Sequence, residues 1–169
     1  MAIKFIFTDV DGVLTDGGVY YDDQRRELKK FNTRDGAGFL TAKAAGIKVI
    51  AITGRECPAT NRRMDELHAY QVFQNIREKG AFLEKYMADN AIDPAETAYI
   101  GDDLIDIPPI KLCGFAACPS DACDEVKELV DYVSEINGGY GAFRDIVKHI
   151  LKNEGKWESA VNGAFQAGI

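Results

Sequence analysis

The sequence predicts an α/β protein in which a doubly wound parallel sheet is covered by helices on both faces. Short apolar runs, typical of buried parallel strands, alternate along the chain with longer segments of helical periodicity. The 169 residues, 46% of them hydrophobic, are enough for one domain with a sizeable core and too few for two domains of ordinary size. We therefore expect a single domain over residues 1–152, followed by a C-terminal tail over residues 153–169.

The first strand begins at residue 3 and leads directly into acidic residues. Its apolar residues at positions 3 and 5–7 suit an interior parallel strand, and Gly12 allows the chain to turn after it. Residues 17–31 interrupt the alternation of strands and helices, because two short strand-like runs flank a polar Asp-Asp-Gln turn. We predict that this segment is a β-hairpin that projects from the sheet.

The rest of the chain returns to alternating helices and strands. Pro58 fits the first turn of a helix, since its missing N–H is not needed there. In the last strong helix the apolar residues fall on one face, which favours packing against the core over binding of a partner. The strands are predicted at 47–52, 72–73, 97–100, 115–117 and 132–133, and the helices at 36–45, 57–67, 79–90, 121–129 and 142–152, with a short helix after Pro109.

Composition and charge argue against several classes of function. Twenty-seven acidic and twenty basic residues give a net charge of −7, which disfavours binding to nucleic acid or to an anionic membrane. The first residues show no signal pattern, and no apolar run approaches the roughly 20 residues that span a bilayer, so we expect a cytoplasmic protein. Neither the four cysteines nor the two histidines have the spacing of a metal or redox motif.

Two carboxylates follow the first strand, one residue apart. Alternation along an extended chain places Asp9 and Asp11 on the same side, and in open α/β sheets ligands bind at this carboxyl end of the strands. Asp and Gly are also common in turns, so the Asp-x-Asp-Gly sequence by itself fits an acidic turn equally well. The functional interpretation therefore depends on the polar groups that follow later strands.

A threonine, a lysine and a group of aspartates follow those strands, in the order that a phosphoryl-transfer site would need. Thr53 and Gly54 could hold a phosphate oxygen with a hydroxyl and backbone N–H groups, or Thr53 could cap a helix. Lys79, at a predicted helix start, could neutralise a phosphoryl group and a carboxylate together, although a solvated lysine is the commoner case.

The second acidic group consists of Asp102, Asp103 and Asp106. These residues offer hard oxygen donors of the kind that bind Mg²⁺ together with a substrate phosphate. Helix capping is the alternative role, but three carboxylates at one strand end repel each other unless a cation is present. The sequence therefore predicts a magnesium site at this strand end.

These groups resemble, in the same order, the four motifs of the haloacid dehalogenase superfamily of aspartate-dependent phosphatases. The matching motifs are Asp9-Val10-Asp11-Gly12, Thr53-Gly54, Lys79 and Gly101-Asp102-Asp103. The resemblance covers about residues 3–150 and implies a Rossmann-like fold of the haloacid dehalogenase type. It also implies that Asp9 is the nucleophile that forms an aspartyl-phosphate and that Asp11 is the general acid and base.

The resemblance assigns roles to the other groups as well. Mg²⁺ would be bound by Asp9, the backbone carbonyl of Asp11 and Asp102. Thr53 and Lys79 would hold the phosphoryl oxygens. The supporting residues, which would orient the metal ligands and the lysine, are Asp103 and Asp106.

Motif spacing indicates the subfamily. Members of this superfamily carry specificity caps inserted either between the first and second motifs or between the second and the third or fourth. Only 41 residues lie between Asp11 and Thr53, and 22 between Lys79 and Asp102, so neither segment has room for a cap. A capless site is open to water, so we expect a neighbouring subunit to supply the missing wall, with the hairpin as the contact surface.

Four further runs closely resemble the capless keto-acid sugar phosphatases of this superfamily. The runs are residues 30–38, 52–55, 98–106 and 138–144. The phosphatases are homotetramers that act on the way to lipopolysaccharide, so the resemblance implies a bacterial homotetramer with a phosphorylated keto-acid sugar as its substrate.

The carboxylate of such a substrate calls for a cation, and a planar arginine fork suits that task better than a lysine. Arg55 is the first candidate, and Arg62 and Arg63 are weaker ones, with a solvated helix face as their alternative role. Gly54 would contribute backbone N–H groups. By resemblance alone, the sugar site would also include the run Thr33, Arg34 and Asp35.

Alternatives remain for the substrate, the class of function and the tail. A close relative acts on nine-carbon, sialic-acid-type keto-sugar 9-phosphates and has a glutamate directly after Thr-Gly, whereas Arg55 in this chain favours an eight-carbon keto-sugar 8-phosphate. A non-catalytic, tetramer-forming domain is the alternative of another class, although the clustered carboxylates argue against it. The glycine-bearing tail over residues 153–169 could be frayed or could reach the active site of an adjacent subunit.

Overall fold

The computed structural model describes residues 2–168, and its centre is a six-stranded parallel sheet. Along these residues the strands are β1 (Phe5–Thr8), β2 (Tyr20–Tyr21), β3 (Glu27–Leu28), β4 (Lys48–Ile52), β5 (Gln71–Phe73), β6 (Thr97–Ile100), β7 (Phe115–Cys118) and β8 (Tyr132–Val133). The order across the sheet is β5-β4-β1-β6-β7-β8, and each neighbouring pair is parallel. The predicted doubly wound α/β fold is confirmed.

Helices cover both faces of the sheet. They are α1 (Thr33–Ala44), α2 (Pro58–Glu66), α3 (Lys79–Asp89), α4 (Ile107–Ile110), α5 (Asp124–Lys127), α6 (Ala142–Asn153) and α7 (Trp157–Phe165). One apolar cluster joins the sheet to α1, α6 and α7, and a second joins it to α3, α4 and α5. No helix within residues 2–168 has the length and apolarity needed to cross a membrane.

β1 lies in the middle of the sheet and sets the position of the site. Its residues align with β4 on one side and β6 on the other, so that Thr8 lies level with Ala51 and Ile100. Ile6 and Phe7 are fully buried and belong to different apolar clusters, as the alternation of side chains along a strand requires. The strand order reverses between β1 and β6, and ligands of open α/β sheets bind in the crevice beyond such a point.

β2 and β3 form the predicted hairpin, which is separate from the main sheet. Tyr20 pairs with Leu28 in antiparallel register, and a bridge between Thr15 and Phe31 closes the base of the hairpin. The hairpin and α1 occupy the segment between β1 and β4, while α3 occupies the segment between β5 and β6. Within the described residues, these elements leave no segment for a cap domain.

Several elements differ from their predicted bounds. α1 begins three residues earlier than predicted because Asn32 caps it, its side chain accepting a hydrogen bond of 2.9 Å from Arg34 N. α4 contains the prolines 108 and 109 rather than following them, since a first helical turn accepts proline. α5 is shorter than the predicted helix over residues 121–129.

The segment predicted as a tail contains an additional helix. α7 packs against α1 and α6, and its Ala160 and Val161 are buried. The turn before it is held by a hydrogen bond of 2.8 Å from Lys156 N to the carbonyl oxygen of Leu151. The alternative that residues 153–169 are frayed is therefore wrong for residues 157–165, which form a helix whose Trp157 and Ala160 belong to the apolar cluster on that face.

Candidate active site

The polar groups predicted from the sequence meet at the carboxyl edge of the sheet, between β1 and β6. A hydrogen bond of 2.8 Å from Asp9 N to the Ile100 carbonyl oxygen joins the two strand ends. A cavity of about 270 Å³ lies there. It is lined by Asp9, Asp11, Gly17, Thr53, Gly54, Arg55, Lys79, Asp102, Asp103 and Ile105. A larger cavity of about 400 Å³, beside Ile3 and Ile150 at the opposite edge, has no comparable group of carboxylates.

Asp9 is a buried carboxylate, 5% exposed. Its Oδ1 accepts a hydrogen bond of 2.6 Å from Val10 N and lies 2.9 Å from the Lys79 ammonium. Burial, followed by the negative charge of Asp106, raises the pKa of Asp9 to about 7, although Lys79 acts in the opposite direction. Because both contacts use Oδ1, they leave Oδ2 for a metal ion or for attack on a substrate.

Lys79 is the first residue of α3 and is only 2% exposed. Its Nζ lies 2.9 Å from Asp9 Oδ1 and 2.7 Å from Asp106 Oδ1. Burial alone would lower the pKa of Lys79, but the charges of Asp9 and Asp106 raise it overall. The lysine is therefore held as an ammonium ion next to the oxygen of Asp9, where it can neutralise a phosphoryl group.

The carboxylates of Asp9, Asp102 and Asp106 each offer an oxygen, and these oxygens lie within 4.8 Å of one another. Asp106 already accepts hydrogen bonds at both oxygens: Lys79 Nζ and the Tyr99 hydroxyl donate to Oδ1, each at 2.7 Å, and Asp102 N donates to Oδ2 at 3.0 Å. Asp102 Oδ1, in contrast, is buried and has no hydrogen-bond partner among the described residues. Asp9 and Asp102 therefore fit a hard divalent cation, whereas Asp106 fits a supporting role.

The pKa of Asp102 reflects the same crowding of negative charge. Burial, followed by the charges of Asp9 and Asp106, raises its pKa to about 8. Gly12 brings the backbone of the first loop against this carboxylate. It has a φ of +92°, and a Cβ atom at this position would overlap the carboxylate of Asp102.

Asp11 is contacted from two sides. The hydroxyl of Thr53 lies 3.3 Å from Asp11 Oδ2. The ammonium of Lys29, from the hairpin, contacts Asp11 Oδ1 and lies 3.0 Å from Glu27 Oε1. Burial alone would lower the pKa of Lys29, but its hydrogen bonds with these two carboxylates raise it overall. Neither Lys29 nor Glu27 was predicted from the sequence, although Glu27 in β3 and Lys29 directly after it alternate with Leu28 and so lie on the same side of the chain.

Arg55 lies at the rim of the cavity, but its guanidinium is already paired. Its Nε and Nη2 lie 3.1 and 3.0 Å from the two oxygens of Glu27, and Nη2 lies 3.4 Å from the Tyr21 hydroxyl. The side chain is 42% exposed, so part of the fork still faces solvent. The hairpin therefore fixes the position of the arginine that was predicted to bind a substrate carboxylate.

The other predicted site residues are divided between two places. Gly54 and Asp103 line the cavity, and Asp103 also caps the short helix Leu104–Asp106, which carries Asp106. Thr33, Arg62 and Arg63 do not line the cavity of their own chain. Thr33 is exposed at the start of α1, and the two arginines pair with Glu66 on α2.

The fold and this set of groups define a class of protein. A doubly wound sheet with Asp9 and Asp11 after its central strand, a buried lysine and an acidic group after β6 is the arrangement of a haloacid dehalogenase-like hydrolase. The sequence profile of these hydrolases matches residues 66–143. The chain belongs to this family.

Individual relatives point to a narrower group within this family. The chain is similar to the 3-deoxy-D-manno-octulosonate 8-phosphate phosphatase of Haemophilus influenzae, with 40% identity over 91% of this chain and 86% of the relative. The enzyme of the same name from Escherichia coli K12 is 37% identical over 94% of this chain and 84% of the relative.

Solved structures of related proteins also superpose closely on this chain. The phosphatase of this name from Moraxella catarrhalis, in complex with magnesium, phosphate and 3-deoxy-D-manno-octulosonate (KDO), superposes with a TM-score of 0.90 at 33% identity, over 94% of this chain and 91% of the other. A Legionella pneumophila protein described as a putative subfamily III A hydrolase superposes with a TM-score of 0.92 at 35% identity, over 97% and 90%.

Proposed function

We propose that this chain is a Mg²⁺-dependent phosphatase that hydrolyses 3-deoxy-D-manno-octulosonate 8-phosphate to the free keto-sugar and phosphate. The observation that carries the proposal is the convergence of a nucleophile, an acid and base, two phosphate-holding groups and a metal ligand on one cavity. They are Asp9, Asp11, Thr53, Lys79 and Asp102. The names of the similar phosphatases, and the sugar and phosphate bound to one of them, support the choice of substrate.

Mg²⁺ would be held by Asp9, Asp102 and the backbone carbonyl of Asp11. The buried, unpartnered Oδ1 of Asp102 and the free Oδ2 of Asp9 support this assignment, because both are hard oxygen donors. When bound, the cation offsets the repulsion between the Asp9 carboxylate and the substrate phosphate and stabilises charge on the transferred group.

In the first step, Asp9 attacks phosphorus and the bond between phosphorus and the sugar oxygen breaks. Asp11, in its protonated form, gives its proton to that leaving oxygen, and the phosphoryl group remains on Asp9 as an aspartyl-phosphate. Lys79 and Thr53 bind the phosphoryl oxygens during the transfer. Lys79 suits this role because its ammonium lies 2.9 Å from Asp9 Oδ1.

In the second step, Asp11 has become a carboxylate and acts as the base. It takes a proton from a water molecule, whose oxygen attacks phosphorus, and the bond between phosphorus and Asp9 breaks to release phosphate. Asp106 keeps Lys79 in place throughout, and Asp103 holds the turn that carries Asp106.

The sugar would be bound at the rim of the cavity. Gly54 and Arg55 lie there, and the exposed part of the Arg55 fork is available to the substrate carboxylate. Thr33 and Arg63 lie outside the cavity of their own chain, and we propose that they reach the substrate of a neighbouring subunit. This is consistent with a homotetramer in which a neighbouring subunit covers the capless site and supplies these residues.

The direct test is phosphate release with Mg²⁺ from 3-deoxy-D-manno-octulosonate 8-phosphate, compared with a nine-carbon keto-sugar 9-phosphate. We expect the eight-carbon substrate to have the higher kcat/KM by about tenfold or more, since each 1.4 kcal/mol of discrimination gives a factor of ten. Asp9→Asn serves as the blank, because its amide cannot attack phosphorus, and should show no release.

The other outcomes separate the alternatives. A preference for the nine-carbon sugar would keep the mechanism and replace the substrate. Release from neither sugar by folded wild-type protein would contradict the catalytic proposal and favour a non-catalytic assembly domain. Full activity of Asp9→Asn would refute the aspartyl-phosphate mechanism.

A further inference from the structure

Lys29 on the hairpin is a buried cation that the reaction described above does not use. Exposure alternates along this strand: Leu28 and Lys30 are exposed, whereas the side chain of Lys29 is 2% exposed and that of Glu27 is 12% exposed. The inner face of the hairpin strand therefore carries two opposite charges, and it packs over the catalytic cavity.

Lys29 and Glu27 connect Asp11, the proposed acid and base, with Arg55 at the rim of the cavity. The Lys29 ammonium contacts Asp11 Oδ1, and the Glu27 carboxylate lies 3.0 Å from both Lys29 Nζ and Arg55 Nη2. The result is a row of alternating charges along one wall of the cavity, in the order Arg55, Glu27, Lys29 and Asp11. Two of its four members line the cavity, and the other two come from the hairpin.

Attachment of the hairpin does not by itself require the contact between Lys29 and Asp11. The base of the hairpin is closed by the bridge between Thr15 and Phe31. On the outer face, Lys30 Nζ binds Asp16 at 3.2 Å and the Tyr140 hydroxyl at 2.9 Å. Burying an ammonium ion costs several kcal/mol in desolvation, so a lysine serves a simple anchor less well than an apolar side chain would.

We propose that Lys29 is a positioning residue that holds the Asp11 carboxylate in the orientation needed for proton transfer. Lys29 binds Oδ1, so that Oδ2 faces the hydroxyl of Thr53, 3.3 Å away, at the place where the phosphoryl group and its leaving oxygen would lie. Glu27 keeps the ammonium in place. This inference rests on the proposed function, because it concerns the same reaction.

Positioning of this kind affects turnover more than binding. Lys79 and the carboxylates of Asp9 and Asp102 make no contact with Lys29, so the sites for phosphate and metal remain intact without it. The orientation of Asp11 matters in both steps, and general acid and base catalysis contributes about 10²–10⁴-fold to a rate. Loss of Lys29 should therefore lower kcat and leave KM and the Mg²⁺ requirement nearly unchanged.

The test compares Lys29→Met with Lys29→Arg and with the control Lys30→Met, which removes the adjacent ammonium on the outer face. For Lys29→Met we expect kcat to fall about 30- to 100-fold, part of the contribution of a general acid and base, with KM and the half-saturating Mg²⁺ concentration within about twofold of wild type. Lys29→Arg should recover most of the lost rate, since a guanidinium can still bind Asp11. Lys30→Met should keep a kcat close to that of the wild type, because the bridge between Thr15 and Phe31 still closes the base of the hairpin and the contact of Lys29 with Asp11 remains.

Several outcomes would overturn the inference. Unchanged kcat in Lys29→Met would make Lys29 an anchor only, and a raised KM with unchanged kcat would make it a substrate-binding cation. An equal rate loss in the arginine variant, with an equally lowered melting temperature, would point to a structural role. If Lys29→Met does not fold, Glu27→Gln replaces it, because Glu27 keeps the Lys29 ammonium in place, and a wild-type rate in Glu27→Gln would also reject the inference.

The same assay distinguishes failure of this inference from failure of the proposed function. If the wild-type protein releases no phosphate from the sugar, the proposed substrate is wrong. The variants are then compared with p-nitrophenyl phosphate, because hydrolysis of an aspartyl-phosphate needs Asp11 whichever alcohol has left. A normal wild-type rate with undiminished turnover in Lys29→Met would reject only the role of Lys29.

Discussion

Asp102 and Asp106 lie one short turn apart, yet their surroundings give them different tasks. Asp106 is fully buried and accepts hydrogen bonds at both oxygens, so it has little capacity left for a metal ion. Asp102 is buried with an unpartnered Oδ1, which is costly unless a cation is bound there. The difference depends on what each carboxylate contacts, so it cannot be read from the Gly-Asp-Asp motif alone.

The raised pKa values of Asp9 and Asp102 predict that Mg²⁺ affinity increases with pH. Their pKa values are about 7 and about 8, compared with 3.8 for an unperturbed aspartate. Protons therefore compete with the metal near neutrality, and each proton displaced gives up to about tenfold in affinity per pH unit. We expect the Mg²⁺ affinity, measured by calorimetric titration at pH 6, 7 and 8, to rise at least about tenfold over this range.

In the metal-free protein, the same raised pKa values have the opposite consequence: the stability of the fold decreases as pH rises. A carboxyl group with a raised folded-state pKa stabilises the fold below its unfolded pKa, and this contribution is lost as pH rises through 7 and 8.

Asp102→Asn is the control for the calorimetric titration of Mg²⁺, because it removes one of the competing protons and should flatten the pH dependence of the affinity. An affinity that does not change with pH in the wild type would show that both carboxylates are already ionised at pH 6.

Gly12 predicts a second effect at the residue scale. In Gly12→Ala, a Cβ must enter the space of the Asp102 carboxylate at a φ of +92°. We expect the variant to lose Mg²⁺ affinity and at least about a hundredfold in kcat/KM, because displacement of a metal ligand costs several kcal/mol of transition-state charge stabilisation. The measurements are Mg²⁺-dependent phosphate release and calorimetric titration of Mg²⁺.

Gly46→Ala is the matched control for this variant. Gly46 has a φ of +79°, so alanine suffers a similar backbone strain, but no atom lies within 4 Å of the added Cβ. Both variants should lose about 1–2 kcal/mol of stability from the left-handed conformation. Only Gly12→Ala should also lose catalytic activity and Mg²⁺ affinity. An equal loss of activity in the two variants would mean that backbone strain alone is responsible.

At the scale of elements, α1 and α6 are joined by a buried carboxylate. Asp35 Oδ1 accepts a hydrogen bond of 3.2 Å from Arg144 N in the first turn of α6, while its Oδ2 is buried without a hydrogen-bond partner among the described residues. Burial raises the pKa of Asp35 to about 6, although Arg144 N and the charges of Arg63 and Arg144 lower it. The carboxyl group thus caps a helix that follows it by more than a hundred residues.

This pKa predicts a pH-dependent difference in stability between the wild type and Asp35→Asn. The folded-state pKa is raised from 3.8 to about 6, so the stability that the group contributes is complete below pH 3.8 and lost as pH rises through 6. Asparagine keeps an oxygen for Arg144 N and does not ionise. Relative to the variant, the wild type should lose about 2 kcal/mol of unfolding free energy between pH 4.5 and 7.5, because part of the loss has already occurred below pH 4.5.

Urea denaturation of both proteins at the two pH values measures this difference directly. Asp35→Asn serves as the control for the wild type, because the other titrating groups contribute equally to the stability of both chains. A difference that stays constant with pH would show that Asp35 is ionised throughout or that its burial is relieved by a bound ion.

α7 predicts the outcome of shortening the chain. A chain that ends after Lys156 would expose the apolar surface covered by Ala160, Val161 and Trp157, which costs about 2–4 kcal/mol of unfolding free energy. A chain that ends after Phe165 should unfold like the full-length protein. Thermal denaturation of the two truncated forms measures the contribution of the helix.

The two truncations also separate stability from a role in the active site. If the last residues reach the active site of an adjacent subunit, the chain ending after Phe165 should have a raised KM with normal stability. Normal kinetics in that chain would refute a role of the last residues in the active site of an adjacent subunit.

The elements with a long, regular pattern could be predicted from the sequence almost to the residue. The helix predicted at 142–152 is Ala142–Asn153, and the strand predicted at 47–52 is Lys48–Ile52. The helix predicted at 121–129 is much shorter, because Cys123 N donates to the carbonyl oxygen of Asp102 at 2.9 Å and cannot join a longer helix. A partner 21 residues away leaves no local pattern.

The same limit applies to the candidate site. Residues that directly follow strands could be predicted, because parallel strands bring their carboxyl ends to one edge. The contact of Lys29 with Asp11 joins positions 18 residues apart and depends on how the hairpin folds back over the cavity. Its alternating pattern was present in the sequence, but the strand is only two residues long, too short for alternation to be distinguished from chance.

At the scale of the whole molecule, the hairpin offers an apolar surface against which a second subunit could pack. It exposes large apolar side chains next to the open cavity, each 44–64% exposed. They are Val19, Tyr20, Tyr21 and Leu28. A hydrophobic surface of this kind on a two-stranded hairpin is typical of a protein interface, and it agrees with the proposed homotetramer.

Leu28→Glu tests whether this surface holds the assembly together. Leu28 is 53% exposed and faces away from the cavity, so a glutamate there leaves the folded subunit intact but places unpaired charge in an apolar interface. We expect light scattering to show a tetramer for the wild type and smaller species for the variant. Since a neighbouring subunit is proposed to cover the cavity, kcat/KM for the sugar phosphate should fall about tenfold or more, mainly through KM.

The control is Leu129→Glu, which adds the same charge at a leucine that is 43% exposed and lies outside the hairpin. It should remain tetrameric and active. A tetramer that persists in Leu28→Glu would place the interface elsewhere. A dissociated variant with wild-type KM would show that each subunit binds the sugar with its own residues, which would assign the substrate carboxylate to Arg55 and exclude Thr33 and Arg63 from the site.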